Sequence, residues 1–207
     1  MHAPAPPAPQ PPHPVFLIEA AELGKEARAL LRDEHDARGY MAALIETVQL
    51  VDAIRFLAHA LPVREAIWWA WCCARLSAAE ELPANQQAAL GATERWIRQP
   101  TDEHRRSMLA IAEQAELGSP AGAAALAVFF SGGSITPPDA PEVAPPSYAA
   151  AKLIAGSVIL AGVVAEPELA PEKYRGFITQ GLTVVDRLNL WPPAPDRYQR
   201  KVEVLRK

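Results

Sequence analysis

No catalytic signature stands in these 207 residues. There is no Cys-x-x-Cys, no metal-binding histidine pair, no nucleophile elbow and no dinucleotide fingerprint. Cysteine is confined to the adjacent Cys72 and Cys73. On a helix their side chains diverge by ~100°, so a disulfide between them would be strained. They read as two small buried apolar residues, in a reducing compartment. Charge of one sign is scarce too: 20 Lys and Arg against 24 Asp and Glu leave −4. That argues against a domain held to nucleic acid by a basic stripe. No apolar run reaches the ~20 residues of a membrane span. The longest, 153–165, carries Gly156, Ser157 and Gly162. Residues 1–14 have neither a basic start nor an apolar stretch, so they are not read as a secretory leader. The chain is expected to be cytoplasmic, without nucleic acid, membrane insertion, metal or other cofactor.

Proline, by contrast, is abundant: 21 of 207, about twice the usual share. The prolines cluster and so mark tails and loops. Residues 1–14 read as a disordered Pro-rich tail. Residues 135–146 hold five prolines and read as a structured loop or strap. Residues 191–207 form a Pro-rich and then basic tail, suited to an acidic surface or to strand addition on a partner. Between them, 15–190 is one domain, large enough to bury its own core.

Within that domain, apolar residues at three- and four-residue spacing predict about eight helices. Residues 15–18 read as a short strand or extended anchor. A first helix is expected over 20–32. A long second one, over 40–61, rests on Leu44, Val48, Val51, Ile54, Leu57 and Ala58. Pro62 opens a third to Ser77, and Pro83 a fourth to Gln99. Thr101 caps a fifth, with Gly118 as its C-cap. Ser119 caps a sixth, stopped by Ser131-Gly132-Gly133-Ser134. A seventh is expected over 148–165 and an eighth over 171–187. Corners of two to six residues predict an all-α orthogonal or solenoid-like bundle. No repeat near 34–45 residues is found.

The third helix carries Trp68, Trp69, Trp71, Cys72 and Cys73. Trp68, Trp71 and Cys72 share one face, with Trp69 and Cys73 beside it. A helix aromatic over so wide an arc is surrounded by other helices or covered by a partner.

Several residue groups invite a functional reading beside a plainer one. Glu34-His35-Asp36 has catalytic composition but sits at a helix break, where a solvated turn is the commoner outcome. His59 is either a helix-end imidazole bonded to a backbone carbonyl or a binding histidine beside Trp68 and Trp69. Arg95, Arg98, Arg105 and Arg106 flank the Pro100 corner, as a solvated face paired with Glu94, Asp102 and Glu103 or as an acidic partner's seat. The 131–134 segment lacks the Lys-Ser/Thr of a phosphate loop and reads as a helix stop.

Three segments together resemble a known family. They are Phe56-Leu57-Ala58-His59-Ala60-Leu61-Pro62 with Arg64-Glu65-Ala66-Ile67-Trp68-Trp69, then Ser119-Pro120-Ala121-Gly122, then Phe129-Phe130-Ser131-Gly132-Gly133-Ser134 with Pro137-Pro138. They resemble a bacterial helical domain family of unknown function, often associated with type VI secretion gene clusters. The resemblance spans about 16–186. It implies an adaptor role in an envelope-spanning machine, and it brings no catalytic residues.

The leading expectation is a non-enzymatic interaction or adaptor module that binds another protein. Its contact residues are expected among His59, Arg64, Trp68, Trp69, Trp96 and Arg98, with no catalytic or metal-ligating residue. A second reading is an enzyme or small-molecule binder with a pocket joining at least two of His59, Trp68 and His35. A third is self-assembly through the small-residue helices over 121–130 and 148–165.

Overall fold

The computed structural model describes residues 14–33, 35–77 and 82–191. Among them the chain is all-α. Ten helices follow in order: α1 Pro14–Ala20, α2 Lys25–Ala29, α3 Ala37–Glu46, α4 Leu50–Ala60, α5 Val63–Leu76, α6 Ala84–Arg98, α7 Asp102–Gln114, α8 Pro120–Phe129, α9 Ala149–Val163 and α10 Ala170–Arg187, the last preceded by a 3-10 turn, Pro167–Leu169. The expected tails at 1–13 and 192–207, and Glu34, lie outside the described residues. No single described helix is long and apolar enough to cross a membrane.

The innermost element is α8. Its sequence, Pro-Ala-Gly-Ala-Ala-Ala-Leu-Ala-Val-Phe, has no polar face, and nine of its ten residues are buried. A helix apolar on every side is stable only when surrounded. Here α9, α7, α6 and α5 surround it. Ser119 caps it by accepting from Gly122 N at 2.9 Å. Ser157, buried in α9, donates to the Pro120 carbonyl at 2.8 Å. Leu126 is the one residue of the ten left partly exposed.

Gly122 is where this helix start meets the preceding turn. A Cβ there would lie 2.2 Å from the Glu116 carbonyl oxygen. That atom belongs to the main chain and cannot rotate away. Gly122→Ala is therefore expected to destabilise the fold by about 2 kcal/mol, although alanine is the better helix former by ~1 kcal/mol. Thermal melting checks this; a melting point at or above the parent's would show that the 115–119 turn yields.

The expected single helix over 40–61 is broken. Gln49 N donates to Leu44 O at 2.8 Å and Val48 N to Ile45 O at 3.2 Å, with Val48 at φ 61°. This is a Schellman ending, built on a β-branched residue. The same bonding pattern ends α1 at Glu22 (φ 52°), so the expected 20–32 helix is divided as well. The 15–18 segment is helical and part of α1, not a strand. After α7 the left-handed residue is Glu116, two residues before the expected cap Gly118. Trp191, expected in the tail, is 3% exposed and packs 6.0 Å from the Phe56 ring.

Arg105, expected on a solvated face or an open patch, is instead 4% exposed. Its guanidinium donates to Phe129 O at 2.7 Å, Ser134 O at 2.7 Å and Asp102 Oδ1 at 2.8 Å. Arg106 donates to Asp102 Oδ2 at 2.6 Å and to the Thr136 carbonyl. The two arginines hold the Asp102 carboxyl below the usual carboxylate range, Arg106 most strongly. A Cβ on Gly133, which holds φ 65°, would lie 3.0 Å from the Arg105 guanidinium. The Ser-Gly-Gly-Ser segment is thus a loop tied to α7. The strap after it closes on itself through Ile135 N to Val143 O at 2.9 Å and Thr136 Oγ1 to Pro141 O at 2.7 Å.

Candidate functional site

Two concave places are formed by residues whose polar groups the fold does not fully use. The first lies between the turn after α1, α4 and α9. It is a cavity of about 230 Å3, lined by Ala21, Glu22, Arg55, His59, Lys152, Ala155, Gly156 and Ile159. His59 sits one turn beyond Arg55 on α4, and its Nδ1 is 2.8 Å from the Arg55 carbonyl. A carbonyl only accepts, so Nδ1 carries the proton and Nε2 the lone pair. Nε2 is buried and has no partner among the described residues. Burial pushes the imidazole below the ordinary histidine range, which keeps it neutral.

Around that imidazole, Lys152 Nζ meets Glu22 Oε1 at 2.5 Å. Lys152 holds the Glu22 carboxyl below its usual value, with a smaller effect from Arg55. The Arg55 guanidinium lies 3.7 Å from Asp52 Oδ1, beyond hydrogen-bond distance. Asp52 Oδ1 instead accepts from Gly24 N at 3.0 Å. The Tyr148 ring stands 5.7 Å from the imidazole. Both Glu22 and Tyr148 hold left-handed backbone, φ 52° and 61°. At Glu22 this is the helix-ending turn of α1, which sets the residue at the cavity.

The second place is a groove between the end of α5 and the start of α10. One lobe, of about 480 Å3, is lined by Leu76, Leu169, Glu172, Lys173, Gly176, Phe177 and Gln180. A second, of about 240 Å3, shares Leu76 and Gln180 and adds Trp71, Cys72 and Arg75. Leu76 is 69% exposed and Leu169 40%. Trp71 is fixed by its Nε1, which donates to Leu90 O at 3.0 Å, and Arg75 lies over its ring at 4.8 Å. Exposed Glu172 and half-buried Lys173 are the charged residues of the first lobe, and Lys173 Nζ donates to the Ala165 and Glu166 carbonyls. Burial raises the Cys72 thiol to about 11 and Cys73 well above its ordinary value, so neither is a thiolate nucleophile at neutral pH.

The six residues nominated from sequence do not converge. Trp69 is fully buried, its Nε1 donating to Phe177 O at 2.8 Å. Trp96 is 6% exposed. Neither offers a surface to a partner. Trp68 is half-buried against the core. Arg64 donates twice to the Ile97 carbonyl, at 2.5 and 2.8 Å, and so caps the end of α6. Arg98 is paired with Glu94 at 2.7 Å. Of the six, His59 is the one that lines either of the two places described, and neither Trp68 nor His35 joins it there. His35 lies instead beside Tyr40, ring centroids 6.3 Å apart, and Asp36 caps α3 by accepting from Gly39 N at 2.7 Å.

Sequence reasoning missed Glu22, Arg55, Lys152 and Leu76. One signal was there to be read: Lys152 is the single charged residue of the fifteen in α9. Among the described residues no group of three His, Cys, Asp or Glu side chains is placed to hold a metal ion.

A family of unknown function (DUF6931) matches residues 40–185. No curated protein and no solved structure is detectably similar.

Proposed function

We propose that this chain, which belongs to the family of unknown function DUF6931, is a non-enzymatic helical interaction module. The carrying observation is the groove at Leu76 and Leu169. Two exposed leucines on separate helices face one concavity whose floor includes Phe177. Exposed leucines gathered around a groove support a docking role more than scattered ones do. The occupant we favour is a partner segment that presents an aliphatic side chain flanked by Lys or Arg. The aliphatic part suits Leu76, Leu169 and Phe177; the basic flank suits Glu172, the carboxylate of the lining, since the neighbouring Lys173 donates to the Ala165 and Glu166 carbonyls. The finer reading, an accessory of bacterial type VI secretion, rests on the resemblance carried by the 56–69, 119–122 and 129–138 segments.

Leu76→Asp tests the module. Its exposure predicts an unchanged melting temperature, because no core contact is lost. Amide NMR shifts are followed as short peptides with basic-flanked aliphatic residues are added to the full chain. Shifts confined to residues 71–76 and 169–180, lost in Leu76→Asp and weakened by salt, are expected. Equal response to acid-flanked peptides, or no response, would remove the groove as the docking surface. The secretion reading predicts that wild type, and not Leu76→Asp, retains a protein encoded in such a gene cluster.

A further inference from the structure

The cavity beside His59 is unrelated to the groove and has a different chemistry. Its fixed charges are Glu22, Arg55 and Lys152, with Asp52 behind Arg55. Glu22, Arg55 and Lys152 line the cavity while Asp52 accepts from the Gly24 amide, so charges of both signs stand beside a neutral imidazole. The site also has one donor group and one acceptor incompletely used. Arg55 makes no hydrogen bond through its guanidinium among the described residues, and its nearest carboxylate is 3.7 Å away. His59 Nε2 is a buried acceptor without a donor among the described residues, a situation that costs about 1–3 kcal/mol if nothing satisfies it.

The rest of the lining is small and apolar: Ala21, Ala155, Gly156 and Ile159. Gly156 stands in the middle of α9, where glycine is ~1 kcal/mol worse than alanine. A Cβ there would meet nothing within 4 Å, so packing does not demand the glycine. Its bareness leaves the helix backbone facing open space. The volume, about 230 Å3, is on the order of eight waters at ~30 Å3 each. That suits a molecule of a few heavy atoms with a short aliphatic part.

We propose that this cavity binds a small free α-amino acid as its zwitterion. The carboxylate pairs with Arg55, which offers the planar fork for it. The ammonium donates to His59 Nε2 and to Glu22, and the aliphatic side chain lies against Ala155, Gly156 and Ile159. Nε2 is closed to solvent in the ligand-free arrangement, so binding requires a movement that uncovers it, and the Glu22–Lys152 pair is the exposed part of the lining. Both partners are about half exposed or more (69% and 48%), and so sit at the open side of the cavity. Glu22 swings from Lys152 toward the incoming ammonium, on a backbone at φ 52°.

The test uses the full chain and L-alanine, with N-acetyl-L-alanine lacking the ammonium and L-alaninamide lacking the carboxylate. The readout is the His59 ring 15N resonances, which report the tautomer and the bond to Nε2. L-Alanine is expected to move the Nε2 resonance, with both blocked analogues at least about tenfold weaker, the scale of one lost charge-assisted bond. Arg55→Gln and Glu22→Gln are each expected to weaken L-alanine by a similar factor, and Gly156→Leu to abolish binding by filling the cavity. Gly156→Ala, whose methyl meets nothing, checks that α9 tolerates a side chain there. Equal binding of N-acetyl-L-alanine would make this an anion site and overturn the proposal. So would the absence of any His59 shift, or L-alanine binding untouched by Arg55→Gln and Glu22→Gln. Leu76→Asp is expected to leave this site unaffected, so the groove and the cavity stand or fall separately.

Discussion

Trp69→Ala is expected to lower the stability of the chain by about 4 kcal/mol, the largest loss of any single tryptophan substitution. Three effects add. The indole is fully buried, so its removal leaves a cavity the size of a bicyclic ring. The Phe177 carbonyl loses its donor at 2.8 Å in a buried setting. The third effect is shape. A Cβ on Gly181 would lie 2.5 Å from Leu57 Cδ2 and 3.0 Å from Trp69 Cε2, so α10 comes closest to α4 and α5 just where the indole sits. The close approach of Gly181 to Leu57 remains when the indole is gone and limits how far α10 can close on the void. Trp68→Ala, at a half-buried position with no such bond, is expected to cost on the order of 1–2 kcal/mol. Urea denaturation of both variants makes the comparison. Equal losses would mean that burial of Trp69 does not distinguish it, and that the α5–α10 contact is softer than its geometry says.

Arg105→Met, which preserves much of the side-chain length, is expected to cost about 3 kcal/mol. It removes the donors to two carbonyls on the far side of a loop, Phe129 and Ser134, and one of the two arginines on Asp102. Arg98→Met removes a pair whose arginine is 77% exposed and is expected to cost a few tenths of a kcal/mol. The pH dependence carries a matching sign. Asp102 has a depressed carboxyl pKa in the fold. Its contribution is therefore present above the ordinary carboxylate pKa of ~4 and lost as pH falls through the lower folded value. Arg105→Met should shrink that acid loss without abolishing it, since Arg106 remains and is the stronger influence. A variant whose stability falls with acid as steeply as the parent's would show that Arg105 does not act on Asp102.

The helices that the amino acids announce are those with chemical punctuation. Thr101 and Ser119 cap α7 and α8 as their side chains predict. Pro62 and Pro83 stand immediately before α5 and α6. Where the chain turns without such residues the reading failed. Val48, Glu22 and Glu116 take left-handed backbone with no glycine to mark it. The apolar spacing across Val48 continues a helical rhythm, and only tertiary packing decides that Leu50, Ala53 and Ile54 go inward from a new start. The site was still less legible. Trp69 was visible as an aromatic residue, but whether it faces a partner or the core depends on α10, more than a hundred residues later. The cavity polar groups come from three separate segments, at Glu22, at Arg55 and His59, and at Lys152. No spacing in the sequence connects them.

The central place of α8 bears on how the protein is made. A ribosome delivers the helices in order, and α8 follows the α5, α6 and α7 that cover part of it. Its most extensive cover is α9, which lies beyond the strap. Until residue 163 has emerged, a ten-residue apolar rod stands with one side open to water. There is thus no early half that can finish folding while the rest is still being synthesised. Completion is vectorial and late, and the stretch of translation between α8 and α9 is the interval in which the nascent chain most needs shielding from its neighbours.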